Sequence, residues 1–479
     1  MIWFCSLYPV AVNDRTIDDP APKRELSAKA FDAFAFFVSD RIRDYDKNFY
    51  LGDMNMKKIT ALLLAMVMVF ALCACGANES GTGSAAGDDS GAVAEKLDPA
   101  TVEGMDKEDL KVGFICLHDE NSTYDLNFIN AAKAACKAAG LSDDQYIIKT
   151  NVPEGQECYD AAAELVDEGC SVVFADSFGH EDYMIEAAQE FPEVQFCHAT
   201  GTRAHTENVP NYHNAFASIY EGRYLAGVAA GLKLNEMIEA GDITADEAKM
   251  GYVGAFTYAE VISGYTSFYL GAKSVCETVT MDVTFTGSWY DEAAEKEAAQ
   301  KLIDGGCVLI SQHADSMGAP TACEKANVPN VSYNGSTVDS CPNTFIVSSR
   351  IDWTPYYTFV IETMLNGGQI PYDWTGDLST ESVVLTDVNA KAAAEGTEAK
   401  LEEVKAALEA GEVHVFDTAT FTVEGKTLDS YKADVDSDAD FTPDTEVISD
   451  GYFHESEFRS APYFDLQIDG ITLLDTNFG

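Results

Sequence analysis

The sequence predicts an α/β protein of two doubly wound lobes with a ligand cleft between them. Three observations carry this. From Lys111 onward, short apolar runs alternate with segments of helical spacing. A helical stretch near Tyr220–Ala240 ends one round of alternation, and "KMGYVGAF" starts a second. About 370 residues follow the polar stretch after Cys75, which is too long for one core and suits two.

The elements read in order. "KVGFICL" is a continuous apolar run, as in a strand covered on both faces. "NFINAAKAACKAAG" has helical spacing, with Gly140 as its stop. "QYIIKTN", "ECYDAAAELVDEGC", "SVVFADS", "EDYMIEAAQEF" and "VQFCHAT" continue the alternation. After the long helix come "KMGYVGAF", "EVISGYTSFYLGAKSV", "DVTFTGSW", "DEAAEKEAAQKLIDGG", "CVLISQHA", "APTACEKAN" and "VSYNGS". "TFIVSSRI" and the helix after Trp353 are expected to cross back to the first lobe. The tail holds "SVVLTD", a helix near Lys391–Ala410, and "VHVFDTATFTVEG", read as a β-hairpin.

Charge narrows the function. Residues 1–75 carry nine Lys/Arg and nine Asp/Glu, so the net charge of −50 falls on the rest, where 71 acidic residues face 21 basic ones. Such a chain repels nucleic acid and anionic lipid. Nine cysteines follow Cys75, none spaced as CxxC, and most lie inside apolar runs. They read as buried small hydrophobes rather than disulfides. No Cys/His group has metal-ligand spacing, so no metal and no cofactor are expected.

"MNMKKITALLLAMVMVFALCAC" has the parts of an export signal: Lys57 and Lys58, then an apolar core from Ile59 to Leu72 too short to span a bilayer comfortably. Leu72-Cys73-Ala74-Cys75 resembles a bacterial lipobox, which implies lipidation of Cys75. The Gly/Ser/Ala/Asp stretch that follows reads as a tether. The expected organisation is an upstream segment (1–53) absent from the mature protein, a lipoprotein signal peptide (54–74), and a lipidated cysteine with its flexible tether (75–108). A first lobe of 109–246 plus 345–368 follows, with a second lobe of 247–344 plus 369–479 that includes a C-terminal extension.

Ligands of doubly wound sheets bind beyond the carboxyl ends of the strands. Here those ends read "HDENSTY", "DSFGH", "TGTRAH", "AFTYAE", "GSWYD", "QHADS" and "YNGST". The mixture of aromatic and polar side chains suits a flat, ring-bearing, polar solute. The same loops offer His118, His180, His198, His205, His213 and His313 near Asp119, Asp176 and Asp315, which keeps a surface hydrolase open. No GxSxG, HExxH or Walker-type loop is present, so the expectation is no enzyme.

The order and spacing of "KVGFICLHDENSTYDLNF", "VVFADSFGHEDYMIEAAQEFPEVQF", "IYEGRYLAGVAAGL", "KMGYVGAFTYAEVISGYTSFYLGAKSV", "TGSWYDEAAEKEAAQKLIDGG", "ISQHADS" and "IDWTPYYT" resembles the basic membrane protein (BMP) family. These lipoproteins are the substrate-binding components of ABC importers for purine nucleosides and related compounds. The resemblance implies a type I periplasmic-binding-protein fold of two Rossmann-like lobes. It implies a base clamped between Tyr124 and Trp289, with Phe178 and Tyr258 lining the cleft and Asp315 and Ser316 in a polar turn. Tyr124, Trp289, Phe178, Tyr258 and Asp315, with Asn121, Ser177, Asn334, Ser336 and Trp353, make up the expected binding set.

Two positions depart from nucleoside-binding members. Asn334 and Ser336 stand where many carry a ribose-binding aspartate, and Ile351, beside Arg350, stands where a lysine is common. A free purine base, a nucleoside or another heteroaromatic such as a flavin all stay open. The implied protein is a monomer, lipid-anchored on the outer face of the bacterial membrane, that hands its solute to an ABC permease and ATPase. A sensory lipoprotein of the same fold is the alternative.

Overall fold

The computed structural model describes residues 98–436 and 442–476. The expected upstream segment, signal peptide, Cys75 and the tether as far as residue 97 lie outside the described residues.

Val112–Ile115, four buried residues in a row, forms the first strand, β1. Helices on both faces of a parallel sheet require such a run. The first lobe continues with α1 (Thr123–Ala138), β2 (Tyr146–Lys149), α2 (Gln156–Asp167), β3 (Val172–Ala175), α3 (Glu181–Glu190), β4 (Gln195–Ala199) and β5 (Tyr212–Ala217). The long helix α4 (Ile219–Ala240) follows. The second lobe contains β6 (Lys249–Gly254), α5 (Ala259–Lys273), β7 (Thr280–Phe285), α6 (Glu292–Asp304), β8 (Leu309–His313), α7 (Gly318–Ala326), β9 (Asn330–Tyr333) and β10 (Phe345–Ile351). The chain ends with α8 (Thr354–Asn366), β11 (Asp373–Gly376), β12 (Val383–Leu385), α9 (Thr397–Glu409) and β13 (Ile471–Leu473).

The first sheet has six strands in the order β11-β5-β4-β3-β1-β2, and the second has seven, ordered β12-β10-β9-β8-β6-β7-β13. All neighbours are parallel except β12, which runs antiparallel to β10. In each lobe the first strand lies between the second and the third. The strand order therefore reverses between β1 and β3, and again between β6 and β8. Each reversal opens a crevice at the carboxyl ends of the strands, where ligands of such sheets bind.

Three sequence expectations change. The strand in "TFIVSSRI" is β10, and it pairs with β9 in the second sheet rather than crossing back. Only the helix after it, α8, packs on α1 of the first lobe. Conversely, β11 was expected in the second lobe but extends the first sheet beside β5. Helix α4, expected in the first lobe, packs on α5 and β10 of the second. Periodicity reports the type of an element, whereas its sheet is decided by which edge its backbone groups reach. The chain thus passes between lobes after β5, after β10 and after β11.

Two smaller expectations also fail. The end of the expected tether is docked: Thr101–Val102 pairs antiparallel with Gly368–Gln369. The segment "VHVFDTATFTVEG" makes no hairpin of strands. It folds as turns, with single bridges from Asp417 to Tyr452 and from Val423 to Lys426. The nine cysteines among the described residues are free and buried, as their apolar settings predict.

Candidate functional site

The first crevice is built by loops that stitch themselves together. Ser122 caps α1 by accepting from Asp125 N (3.2 Å), and its hydroxyl donates to Asp125 Oδ2 (2.6 Å). Asp125 Oδ1 accepts from His118 N (2.7 Å). Asp176, at the end of β3, accepts from Leu117 N through Oδ1 (3.0 Å), and its carbonyl accepts from the Tyr124 hydroxyl (2.7 Å). Burial, and next the Asp125 charge, push the Asp176 carboxyl well above the usual range. Burial acts on Asp125 in the same direction, but hydrogen bonds from His118 and Ser122 bring it below its ordinary value. The two neighbouring carboxyls are thus shifted in opposite directions.

Cys116, Asp125 and Asp176 bring ligand-type atoms within 4.8 Å of one another, the one such group among the described residues. Burial, then the Asp176 and Asp125 charges, drive the Cys116 thiol well up, which keeps it protonated and a poor metal ligand.

The second crevice is built the same way. Asp291 caps α6 through Ala293 N (3.0 Å) and Ala294 N (2.9 Å), which fixes the loop that carries Trp289. Asp315 N donates to the Trp289 carbonyl (2.9 Å), and Glu295 accepts from Ser316 N (3.3 Å). Asn334, in the left-handed region at φ 64°, donates from Nδ2 to Asp315 Oδ1 (3.0 Å). Burial, followed by the charges of Asp125 and Glu295, raises the Asp315 carboxyl well above its usual range.

The lobes meet across the cleft. Thr123 donates to the Asp315 carbonyl from N and Oγ1 (both 3.1 Å), and Asn127 Nδ2 donates to the Asn334 carbonyl (2.9 Å). Phe178 meets Tyr258 with ring centres 5.2 Å apart, and His118 meets Tyr290 at 5.5 Å. Between these contacts lies a slot with about 370 Å³ of space between its atoms, part of it open to solvent.

Five expected residues line the slot: Tyr124, Ser177, Phe178, Trp289 and Asp315. Tyr258 backs Phe178 and Trp289, and Asn334 backs Asp315. The other three lie elsewhere. Asn121 is exposed and bonds Asp119, and exposed Ser336 accepts from Val338 N. Trp353 is 1% exposed, stacked on Phe128 at 4.4 Å within the first core.

The structure adds His118, Asp125, Thr200, Glu260, His313 and Tyr333 to the lining. The strand-end loops contained all of these but Asp125, which follows one of them in α1, and only the meeting of two reversals in strand order singles them out. Thr200 holds φ 67°, a strained conformation for a β-branched residue. Three other strand-end histidines serve the scaffold. Burial lowers His180, His198 and His213 to about 4, and each ring bonds a main-chain carbonyl. Neutral and enclosed, they are poorly placed for acid–base work.

Two facing reversals that enclose an aromatic, acid-lined slot match the architecture of solute receptors. The model of the PnrA-like ABC transporter substrate-binding proteins (Bmp) matches residues 118–415. The chain belongs to this family. A purine-binding protein of Brucella abortus is 31% identical over 264 residues, 54% of this chain and 70% of its own length. A putative ABC transporter glucose-binding protein of Haloferax volcanii is 35% identical over 196 residues, covering 41% of this chain and 46% of its own length. In fold, the chain resembles a solved ABC transporter solute-binding protein of Conexibacter woesei. The TM-score is 0.52 at 21% identity, covering 64% of this chain and 98% of that one. As a PnrA-like substrate-binding protein, the chain has the type I binding-protein fold expected from its sequence.

Proposed function

We propose that this protein captures a purine base, a nucleoside or a similar heteroaromatic between its lobes and delivers it to an ABC permease. Catalysis has no part in this reading. It includes attachment to the outer face of a bacterial membrane through lipidated Cys75. The lipobox-like "LCAC" and the tether after it support that placement. No helix among the described residues is long and apolar enough to cross a membrane.

The observation that carries the ligand class is the aromatic lining from both lobes. Tyr124 and Phe178 come from the first, and Trp289 and Tyr333 from the second. Rings so placed stack on a flat heterocycle, and closing the lobes buries both of its faces. The resemblance to the Brucella purine-binding protein points the same way.

The test is a thermal-shift and titration screen over purines, nucleosides, flavins and glucose. A heteroaromatic at about 100 times its dissociation constant should stabilise the protein by about 2.7 kcal/mol. Trp289→Ala should weaken that ligand by about 1–3 kcal/mol, the worth of one base–aromatic stack. A response to glucose alone, or unchanged binding in Trp289→Ala, refutes the reading.

A further inference from the structure

Arg223 on α4 is fully buried, yet no carboxylate among the described residues forms an ion pair with it. Its guanidinium lies against the rings of Phe268 (4.9 Å), Tyr333 (5.1 Å) and Tyr252 (5.4 Å). It donates to Ser311 Oγ (2.7 Å), the Ser332 carbonyl (3.3 Å) and the Tyr252 hydroxyl (3.2 Å). A buried cation without a counter-charge is costly unless its field is used.

The bonds beyond it have one direction. The Tyr252 oxygen accepts from Arg223, so its own proton is available to His313 Nδ1, 3.5 Å away. Burial lowers the His313 pKa against the raising effect of the Glu260 hydrogen bond and charge, and the Arg223 charge adds to the lowering. A neutral ring that accepts at Nδ1 carries its proton on Nε2. Nε2 lies 3.4 Å from Glu260 Oε1. The ring itself is held between Tyr333, tilted against it with ring centres 4.4 Å apart, and Gly264, where an added Cβ would come within 2.5 Å of Nδ1. Every donor in the series points toward the cleft, and the series ends on the Glu260 carboxylate, which lines it. None of the described residues lining the slot is Lys or Arg.

The geometry points to Glu260 as the specificity-determining residue of the cleft. It is a fixed carboxylate acceptor that selects heterocycles bearing an exocyclic amino group over their oxo counterparts. Arg223, Tyr252 and His313 are its positioning residues. An amino group donates to the carboxylate. A ring carbonyl at the same place would set two acceptors against each other with no cation to relieve them. This inference rests on the proposed heteroaromatic ligand and narrows it.

Calorimetric titration with adenine against hypoxanthine, and adenosine against inosine, tests the assignment, because the members of each pair differ in an amino against an oxo group at one ring position. For the pair that the protein binds, the amino member should be favoured about tenfold or more. Glu260→Gln, whose amide can turn to donate, should reduce that ratio below about threefold. Tyr252→Phe, which removes the bond that orients His313, should lower the ratio while leaving stacking on Trp289 intact. Trp289→Ala should weaken both members alike and preserve the ratio. A wild-type preference for the oxo members, or a ratio unmoved by Glu260→Gln, overturns the assignment and leaves the ligand class standing. Absence of binding to every purine, nucleoside and flavin removes the ligand class and the assignment together.

Discussion

Glu295 shows how much a single buried group contributes to the site. It is fully buried on α6, and burial raises its carboxyl to about 7 despite hydrogen bonds from Ser316 and from the Asp291 backbone. A carboxyl raised in the folded state binds more protons there than in the unfolded chain. Its contribution is therefore most favourable below the unfolded value and is lost as pH rises to about 7. Glu295→Gln keeps an acceptor for Ser316 and does not titrate. Its stability relative to wild type should climb between about pH 4.5 and 7, by up to about 3 kcal/mol, and stay level above that. Urea unfolding of both proteins at several pH values measures this, and a pH-independent difference would rule it out. The sequence gives little warning of such burial. Trp289 and Trp353 both follow strands, and both were expected in the cleft. Trp353 instead stacks on Phe128 because α8 folds back onto α1, a contact between residues 225 positions apart that local pattern cannot report.

At the scale of elements, α4 and α5 form the platform beneath the second crevice, and glycines set how closely they cross. A methyl group on Gly271 would overlap the Tyr224 carbonyl oxygen, and one on Gly227 would overlap that of Phe268. The two helix backbones touch where side chains normally separate them. This close approach places Arg223 of α4 against Phe268 of α5 and within reach of Tyr252. Gly271→Ala should therefore destabilise the protein by about 1–3 kcal/mol, although alanine is the better helix former. An increase in melting temperature would show that the crossing is looser than described. Alternating strands and helices and the strand-end loops were legible in the sequence because each depends on a local apolar period, and five of the cleft residues stand in those loops, where the family resemblance implied them. Sheet membership of β10 and β11 was not, because a strand at a hinge has the same pattern whichever sheet it joins.

For the whole molecule, the dominant quantity is charge. Beyond Cys75 the sequence has 71 acidic against 21 basic residues, so both lobes are acidic. Closing the cleft brings like charges together, and folding does the same on a larger scale. A neutral heterocycle carries no charge to offset that repulsion, so salt should act on binding through closure alone. Raising ionic strength from about 0.01 M to about 0.1 M shortens the screening length from about 30 Å to about 10 Å, less than the span of either lobe. Both the melting temperature and the affinity for an uncharged ligand should therefore rise over that range. The opposite slope is expected of a receptor that draws in a cation, whose attraction to the acidic surface salt would weaken. Titrations across a salt series separate the two cases. Affinity that falls with salt would mean that the solute is positively charged, and would argue against a neutral purine or nucleoside in this cleft.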